Sequence, residues 1–312
     1  MRHFAAGLFS ALMLMPGLCH ADLALTTERY TPSDRLFDQL EANVMANPDW
    51  RKVVEIDHSR LGQQAGSEMP PSRVLIFSNP RLETDLILQN QLVALDLPLR
   101  VLAYEDSPGG DSKLVYNRYA YLQSRYRLPQ QSPLGAAYEA SITQALRGVP
   151  GASIGVFPET AMEDDGIVTI ESPFDFVQTL ARVLAAIAGQ DDTVSFGNVD
   201  FRQQAAALGV DLRSSTLILF GAPGPGARAM HEAPTMGLDA FCQKMLVWQD
   251  HDGKVYLSFN DLLTLAERQG VGKSIPLRVI NFRLKRVFSK AKTRTGEGVC
   301  GPRAKRARRM VG

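Results

Sequence analysis

The sequence predicts an α+β protein built from two tandem copies of one small β-α-β4-α domain, each with an antiparallel sheet, packed together as a pseudo-dimer. The apolar run Thr216-Leu-Ile-Leu-Phe-Gly-Ala-Pro223 has a near twin about 143 residues earlier, Arg73-Val-Leu-Ile-Phe-Ser-Asn-Pro80. A stretch typical of a β-hairpin follows each run. Strands joined by a tight turn are antiparallel, which favours α+β over a doubly wound sheet.

The first copy is predicted over residues 22–148. Residues 24–31 are rich in strand formers and predict a first strand. A helix is expected to begin at Pro32-Ser-Asp34, with an apolar stripe of Leu36, Phe37, Leu40 and Val44. The later segments predict strands at 53–56, 73–78, 99–104 and 113–116, a short helix at 83–90, and closing helices at 119–125 and 134–147. Asp106-Ser-Pro-Gly-Gly-Asp111 is a strong turn signal inside the hairpin.

The second copy is predicted over residues 166–288, after a linker at 149–165. Its first strand is expected at 167–170, and its closing helix at 277–288. Phe176, Val177, Leu180 and Leu184 match the first helical stripe at an offset of 140, and residues 203–205 match 63–65 at the same offset. The offset is 143 at Pro223, which predicts a three-residue insertion before the apolar run that begins at Thr216.

The net charge of +1 conceals an asymmetry along the chain. From Lys273 to the end there are 13 Lys/Arg and one acid, Glu297. The whole chain has 34 Lys/Arg and 33 Asp/Glu. Without Arg2 and the segment from Lys273 onward, 20 basic and 32 acidic residues remain, a net charge of −12. A nucleic-acid partner is therefore not expected, because the folded part would repel phosphates. The basic tail at 289–312 is predicted to be disordered, either as a solvated extension or as a contact for acidic lipid headgroups, polymers or proteins.

The first 21 residues predict a signal peptide. Arg2 and His3 precede an apolar core from Phe4 to Leu14, and Cys19-His-Ala21 resembles a cleavage site. The expected location is periplasmic or secreted, with no transmembrane helix after cleavage; an uncleaved anchor is the alternative. Cys242 and Cys300 remain, enough for one bridge at most, and Cys242 is predicted to be a core residue.

Three stretches resemble a known family. Residues 75–80 (Leu-Ile-Phe-Ser-Asn-Pro), 94–100 (Ala-Leu-Asp-Leu-Pro-Leu-Arg) and 248–261 (Trp-Gln-Asp-His-Asp-Gly-Lys-Val-Tyr-Leu-Ser-Phe-Asn-Asp) resemble the DUF302 family of domains of unknown function. The resemblance covers most of residues 24–290. It implies a small α+β domain, self-association of single-copy members, and hence a covalent pseudo-dimer for a tandem chain. It implies no activity.

The candidate ligand-binding residues are chosen from polar positions at strand ends and turns: His58, Asn79, Asp96, Asp106 and Asn117. Asp96, Asp106 and Asn117 have counterparts in the second copy, whereas His58 has none. The second copy also departs from the family's sequence pattern at Ala222 and at 239–241, which makes the first copy the better candidate to hold a ligand site. Each of these residues also has a structural explanation, since Asp and Asn satisfy backbone groups at turns and strand ends.

No metal site and no cofactor are predicted. The mature chain has three histidines, none spaced as a pair with another. Gly221-Ala-Pro-Gly-Pro-Gly226 lacks the ending of a phosphate loop, and no Gly-x-Ser-x-Gly, Cys-x-x-Cys or His-Glu-x-x-His motif occurs.

Three functions remain open from the sequence. The first is an exported, non-catalytic module that binds a small ligand or a partner near His58, Asn79 and Asp106. The second is a hydrolase or isomerase with His58 and Asp106 as acid and base. The third is an envelope interaction protein held by its basic tail.

Overall fold

A computed structural model describes residues 19–130, 132–155, 157 and 165–291. The predicted signal peptide, apart from its last three residues, and residues 292–312 of the predicted disordered tail lie outside this range. The prediction of disorder is wrong for residues 289–291, which belong to a helix that ends at Ala291. No helix of the described part is both long and apolar enough to cross a membrane.

The first copy contains four strands and five α-helices among its described residues. In chain order these are α1 (Cys19–Met45), β1 (Arg51–Asp57), α2 (His58–Gln64), β2 (Ser72–Ser78), α3 (Pro80–Gln89), β3 (Leu99–Glu105), β4 (Ser112–Val115), α4 (Tyr119–Tyr126) and α5 (Pro133–Ala145). A 3₁₀ turn, Gln91–Asp96, joins α3 to β3. The antiparallel sheet has the order β1-β2-β3-β4.

The second copy repeats this order with one additional strand. Its elements are β5 (Ile167–Ser172), α6 (Phe176–Ala188), β6 (Val194–Asp200), α7 (Phe201–Ala206), β7 (Ser215–Gly221), α8 (Pro223–Met230), β8 (Gln243–Gln249), β9 (Val255–Asn260), α9 (Leu262–Arg268) and α10 (Ile275–Ala291). The 3₁₀ turn Pro234–Gly237 corresponds to Gln91–Asp96. The antiparallel sheet has the order β5-β9-β8-β7-β6.

The predicted first strand at residues 24–31 is wrong. These residues belong to the helix α1, which continues to Met45. Leu, Ala, Glu and Arg, all good helix formers, make up most of the segment, and the helical pattern beyond it extends the same helix. The first copy therefore begins with a helix, and its described residues place only an isolated parallel bridge, Leu114 to Ile154, beside β4 where the second sheet has a full strand.

The predicted offset of 140 in the first half of the repeat is also wrong. In α6 the buried residues are Thr179, Val183 and Ile187, and the last two are counterparts of the buried Leu40 and Val44 at an offset of 143. Of the predicted stripe, Val177 is 75 % exposed. An error of three residues is close to one helical turn, so it preserved the apolar period while selecting the wrong face. α2 and α7, each capped by the preceding Asp, also begin 143 residues apart, so the predicted three-residue insertion is absent.

The main hydrophobic core contains residues of both copies. Apolar side chains of β2 and β3 and the α1 residues Phe37, Leu40 and Val44 share one buried cluster with Leu217, Leu219 and Leu246 of the second sheet. The opposite face of β7 and β8, including Phe220 and Met245, packs in a second cluster with α6 and α10. β2 and β3 of the first sheet and β7 and β8 of the second are consequently buried on both faces along most of their length.

Candidate functional site

Asp96 and Asn117, two of the predicted site residues, lie in a buried polar network between the copies. Asp96 Oδ2 accepts hydrogen bonds from Arg125 Nη1 and Tyr126 Oη, each at 2.8 Å. The same Arg125 reaches the other copy, where its Nη2 donates to Asn260 Oδ1 at 2.8 Å. We call this set of contacts the first arm.

The second arm repeats the first with the two copies exchanged. Arg268 Nη1 donates to Asp239 Oδ2 at 2.8 Å, and its Nη2 donates to Asn117 Oδ1 of the first copy, also at 2.8 Å. Gln269 Nε2 donates to Asp239 Oδ2 at 3.2 Å, in the position that Tyr126 occupies in the first arm. Each arginine thus joins the aspartate of its own copy to the asparagine of the other.

Tyr121 connects the two arms. Arg125 Nη1 donates to its hydroxyl at 2.9 Å, while the guanidinium carbon of Arg268 lies 3.4 Å from the centre of its ring. Burial raises the pKa of the Tyr121 phenol, so the hydroxyl stays neutral. A neutral ring between two guanidinium groups is a favourable cation–π arrangement in a desolvated site.

Lys244 makes the two arms different. In the first arm its ammonium lies 3.2 Å from Asp96 Oδ1. In the second arm the equivalent oxygen, Asp239 Oδ1, accepts from Asn117 Nδ2 at 2.7 Å. Asn260 Nδ2 consequently has no hydrogen-bond partner among the described residues. Arg100 is the first-copy counterpart of Lys244, because it pairs with β2 at the same position at which Lys244 pairs with β7. Its contacts differ, since Arg100 Nη2 lies near the backbone oxygens of residues 95, 97 and 98.

The network holds more positive than negative groups. Arg125, Lys244 and Arg268 are buried cations of the network, and Asp96 and Asp239 are its two buried carboxylates. The buried Arg100, bound to backbone oxygens nearby, adds a fourth cation and gives a difference of +2 when all are charged. Burial alone would raise the pKa of Asp96, but Arg125, Lys244 and Arg100 hold it well below its ordinary value. Burial and the nearby Arg100 lower the pKa of Lys244 to about 8. A buried excess of cations is unfavourable unless an anion offsets it.

A small cavity adjoins Lys244 and Asn260. Its volume is about 10 Å³, and Asp239, Gln243, Phe259 and Leu284 are among its other lining residues. That volume suits one sphere of the size of a water molecule. The cavity therefore combines a cation, the unpartnered Asn260 amide and space for a single small species.

His58 lies at the boundary of the copies but in a different place. Its Nε2 is 3.2 Å from the backbone oxygen of Gly237. Burial lowers the pKa of the imidazole to about 4, against the opposing effects of Asp57 and the Gly237 oxygen. His58 is thus neutral at neutral pH and, as an Nε2–H donor, binds the 3₁₀ turn of the second copy.

Asn79 and Asp106 have structural contacts within the first copy. Asn79 caps α3 by accepting from the Leu82 backbone N–H at 3.3 Å. Asp106 is exposed in the β3–β4 turn, with Lys113 at 3.8 Å. Among the described residues no hydrogen bond or ion pair joins His58 to Asp106. The five predicted residues are therefore not one cluster: Asp96 and Asn117 share the network, and the other three lie elsewhere.

Arg125, Arg268 and Lys244 were not identified from the sequence. The signal for the two arginines was present, because they occupy equivalent positions at an offset of 143. Lys244 carried no such signal, since its counterpart is an arginine with different contacts.

Two wider clefts also lie between the copies. One, of about 700 Å³, is lined by Ser67, Glu68, Arg228, His231 and Lys273; its counterpart at an offset of 143, of about 350 Å³, is lined by Gln91, Arg202, Asp211 and Arg213. Both contain charges of both signs and select no ligand class. On the β8–β9 turn, Asp250, His251 and Asp252 lie within 4.8 Å of one another, but Asp250 Oδ1 accepts two turn amides, as a turn aspartate does.

Comparison with known proteins agrees with the duplicated architecture. The sequence model of "Domain of unknown function DUF302" matches residues 25–149 and again residues 168–290. A crystal structure of an uncharacterized conserved DUF302 protein from Bacillus stearothermophilus has 14 % identity and a TM-score of 0.35, covering 41 % of this chain and 95 % of that one.

Curated relatives carry a functional name. Proteins called "Fluoride-specific ion channel FluC 1", from Brucella suis and Brucella abortus, are each 37 % identical over 117 residues, which is 38 % of this chain. The chain spans 45 % and 43 % of their respective lengths, less than half of each. With two matches of the family model that together cover most of its length, the chain belongs to the DUF302 family and carries two tandem copies of the domain.

Proposed function

We propose that this chain is an exported, non-catalytic binding protein whose two copies form a covalent pseudo-dimer around a site for one small monovalent anion. The observation that carries the proposal is the buried network, in which four cations adjoin two carboxylates beside a cavity of about 10 Å³. Lys244 Nζ and Asn260 Nδ2 would bind the anion.

Reciprocal contacts between the copies support the pseudo-dimer. α2 contacts α8, and the equivalent pair with the copies exchanged is α7 with α3. The 3₁₀ turn Gln91–Asp96 packs on β7, β8 and β9, while Pro234–Gly237 packs on β2 and β3. In a two-fold interface between identical surfaces, each contact occurs twice with the two partners interchanged, as these contacts do.

The size and chemistry of the cavity favour a halide. A multi-atom anion does not fit a space for one water-sized sphere, and fluoride has about that size. The relatives named as fluoride-specific channels make fluoride the first ion to test, although less than half of their length is shared.

Thermal unfolding at constant ionic strength tests the anion site. We expect fluoride, and chloride more weakly, to raise the Tm of the full chain relative to gluconate, which is too large to enter. A ligand at a hundred times its Kd adds about 2.7 kcal/mol to the free energy of unfolding. The change Lys244→Gln should abolish this difference and Asp106→Asn, on the exposed turn, should preserve it. Equal Tm values in fluoride and gluconate would reject the site.

The pH dependence of binding provides a second measurement. Lys244 has a pKa lowered to about 8, and the anion requires its charged form. Halide stabilisation should therefore be present below pH 8 and decline as the pH rises through that value. Stabilisation that is unchanged well above pH 8 would show that another group binds the ion.

Export has its own test. The amino terminus of protein recovered outside the cytoplasm should be Asp22, in agreement with the predicted cleavage site. Recovery of the chain only in the cytoplasm, with residues 1–21 intact, would contradict the expected location without affecting the anion site.

A further inference from the structure

The outer helices of the second copy expose an unusual amount of apolar surface. Eight large hydrophobic side chains are exposed among the described residues, and five of these lie on α6 and α10: Val177, Leu184, Ile275, Val279 and Phe282. These two helices contact each other. Single exposed apolar residues are ordinary, but their concentration on one helix pair indicates an interaction surface. We call these five residues the α6–α10 face.

α10 is apolar on two sides. Leu277, Leu284 and Phe288 are buried against the sheet. Ile275, Val279 and Phe282 follow one another at spacings of four and three residues, which places them on a single stripe of the helix. They are 78 %, 59 % and 65 % exposed. The second stripe is therefore not part of the core.

The same helix is strongly basic. Arg278, Arg283, Lys285, Arg286 and Lys290 lie within α10, and no acidic residue does. Arg283 and Lys285 pair with Asp192 and Asp261, whereas Arg278 and Arg286 are exposed beside the apolar stripe. Residues 292–312 add seven Lys/Arg and one Glu. The partner must consequently be anionic as well as able to accept apolar side chains.

The charge of the remaining chain determines which surface meets such a partner. Outside Arg2 and the segment from Lys273 onward, 32 acidic residues face 20 basic ones. An extended anionic surface would repel this part and attract α10, which orients the molecule. A second copy of the chain is a poor occupant, because apposing two identical faces would bring the cations of two α10 helices together.

We propose that the α6–α10 face docks on the surface of an anionic lipid bilayer. Apolar side chains of the face enter the boundary between headgroups and acyl chains, and the exposed cations of α10 contact lipid phosphates. The Lys/Arg of residues 292–312 add to the positive charge that attracts the bilayer. A basic helix with an apolar stripe lies in this interface in other peripheral proteins. Each Lys or Arg near an anionic leaflet adds to the attraction, so the charges and the apolar stripe act together.

Sedimentation of the full chain with lipid vesicles tests the proposal. We expect binding to vesicles that contain phosphatidylglycerol, weaker binding as salt increases, and little binding to pure phosphatidylcholine. The double change Val279→Ser, Phe282→Ser should reduce the partition coefficient at least about tenfold, because two large apolar side chains are no longer removed from water on binding. The matched control Met45→Ser, Leu88→Ser alters two exposed apolar side chains outside the face and should leave binding unchanged.

Two charge variants separate the helix from the tail. Arg278→Gln with Arg286→Gln, and a chain ending at Ala291, should each weaken binding and reduce its salt dependence. Circular dichroism and the unfolding midpoint should remain as in the parent chain, because all the substituted side chains are exposed.

Three results would overturn the proposal. One is equal binding to neutral and anionic vesicles. Another is full loss of binding on truncation at Ala291 with no effect of the Val279/Phe282 change, which would place binding in the tail alone. The third is no vesicle binding together with a dimer, seen by light scattering, that the Val279/Phe282 change dissociates; a second copy would then cover the face.

Discussion

Asp96 and Asp239 show how equivalent residues in a duplicated chain acquire different surroundings. Both are buried and each binds the arginine of its own copy. Asp96 is additionally approached by Lys244, whereas Asp239 accepts from Asn117. At Asp96 the ammonium of Lys244 takes the place that the side-chain amide of Asn117 has at Asp239. The amide of Asn260 is therefore left without a partner among the described residues, and the local positive charge is in excess.

Removing the Asp96 carboxylate should strongly destabilise the protein. Asp96→Asn leaves Arg125 and Lys244 buried without their counter-charge, and breaking a buried ion pair in this way costs about 3–5 kcal/mol. Urea unfolding monitored by circular dichroism measures this cost. Asp106→Asn serves as the control, because that carboxylate is exposed and its loss should change the free energy of unfolding by about 0.5 kcal/mol or less. Equal effects of the two changes would contradict the importance of the network.

His58 should make the protein sensitive to mild acid. The imidazole has an ordinary pKa of 6.5 and a folded-state pKa of about 4, so the unfolded chain takes up a proton first. The stabilising effect of keeping His58 neutral is complete above pH 6.5 and is lost as the pH falls towards 4, amounting to about 3 kcal/mol.

The second copy supplies the matched variant for this measurement. Phe201 occupies the position of His58, at the start of α7 after the cap Asp200. The change His58→Phe should flatten the dependence of unfolding free energy on pH between 6.5 and 4. An identical slope in both proteins would mean that other groups govern acid sensitivity.

At the scale of elements, the contact of α2 with α8 depends on a glycine. A Cβ at Gly62 would lie 2.4 Å from Ala227 Cβ, a separation that requires one helix to move. Gly62→Ala should therefore lower the free energy of unfolding by about 1–3 kcal/mol, the usual cost of overpacking. Thermal unfolding is the measurement.

A compensating change distinguishes this clash from a general effect of the substitution. Ala227→Gly removes the opposing Cβ, so the double variant should regain part of the lost stability; the Ser67 backbone oxygen at 3.0 Å prevents full recovery. Gly151→Ala, with nothing within 4 Å, is the neutral control. Additive losses in the double variant would show that the two helices do not meet at these residues.

The helices also illustrate a limit of periodicity. The spacing of apolar residues located α6 correctly, yet Val177 and Leu184 are exposed and Val183 and Ile187 are buried. The helix is apolar on more than one side, so a pattern with the helical period fitted two faces. Contact with the sheet selects one of them, and the other belongs to the α6–α10 face.

For the whole molecule, the shared core predicts that both copies unfold together. Each copy contains one of the two tryptophans: Trp50 packs on Phe77 at 5.3 Å, and Trp248 stacks on Tyr256 at 4.8 Å. In the variant Trp50→Phe the fluorescence of Trp248 reports unfolding of the second copy, and in Trp248→Phe the fluorescence of Trp50 reports unfolding of the first. Their urea transitions should each coincide with the circular dichroism transition of the same variant, because the main core cannot dissolve in one copy alone.

Separate transitions would argue against the pseudo-dimer. In that case one tryptophan would report unfolding at a lower urea concentration than circular dichroism does, and the copies would be independent domains joined by residues 149–165. The proposed anion site, which requires Lys244 and Asn260 to stay beside Asp96, would then be lost at the first transition.

The sequence by itself determined the α+β class, the duplication, most strands and the family, because apolar runs, turn residues and repeated text are local signals. It also identified Asp96 and Asn117 as polar residues retained in both copies. Only the tertiary structure decided that these two meet Arg125, Arg268 and Lys244 at a common buried centre, and that residues 24–31 are helical. The physical reason is that contacts between the copies, such as Lys244 with Asp96 and Arg268 with Asn117, join residues more than a hundred positions apart. They depend on how two sheets pack, and no local pattern in the chain encodes that arrangement.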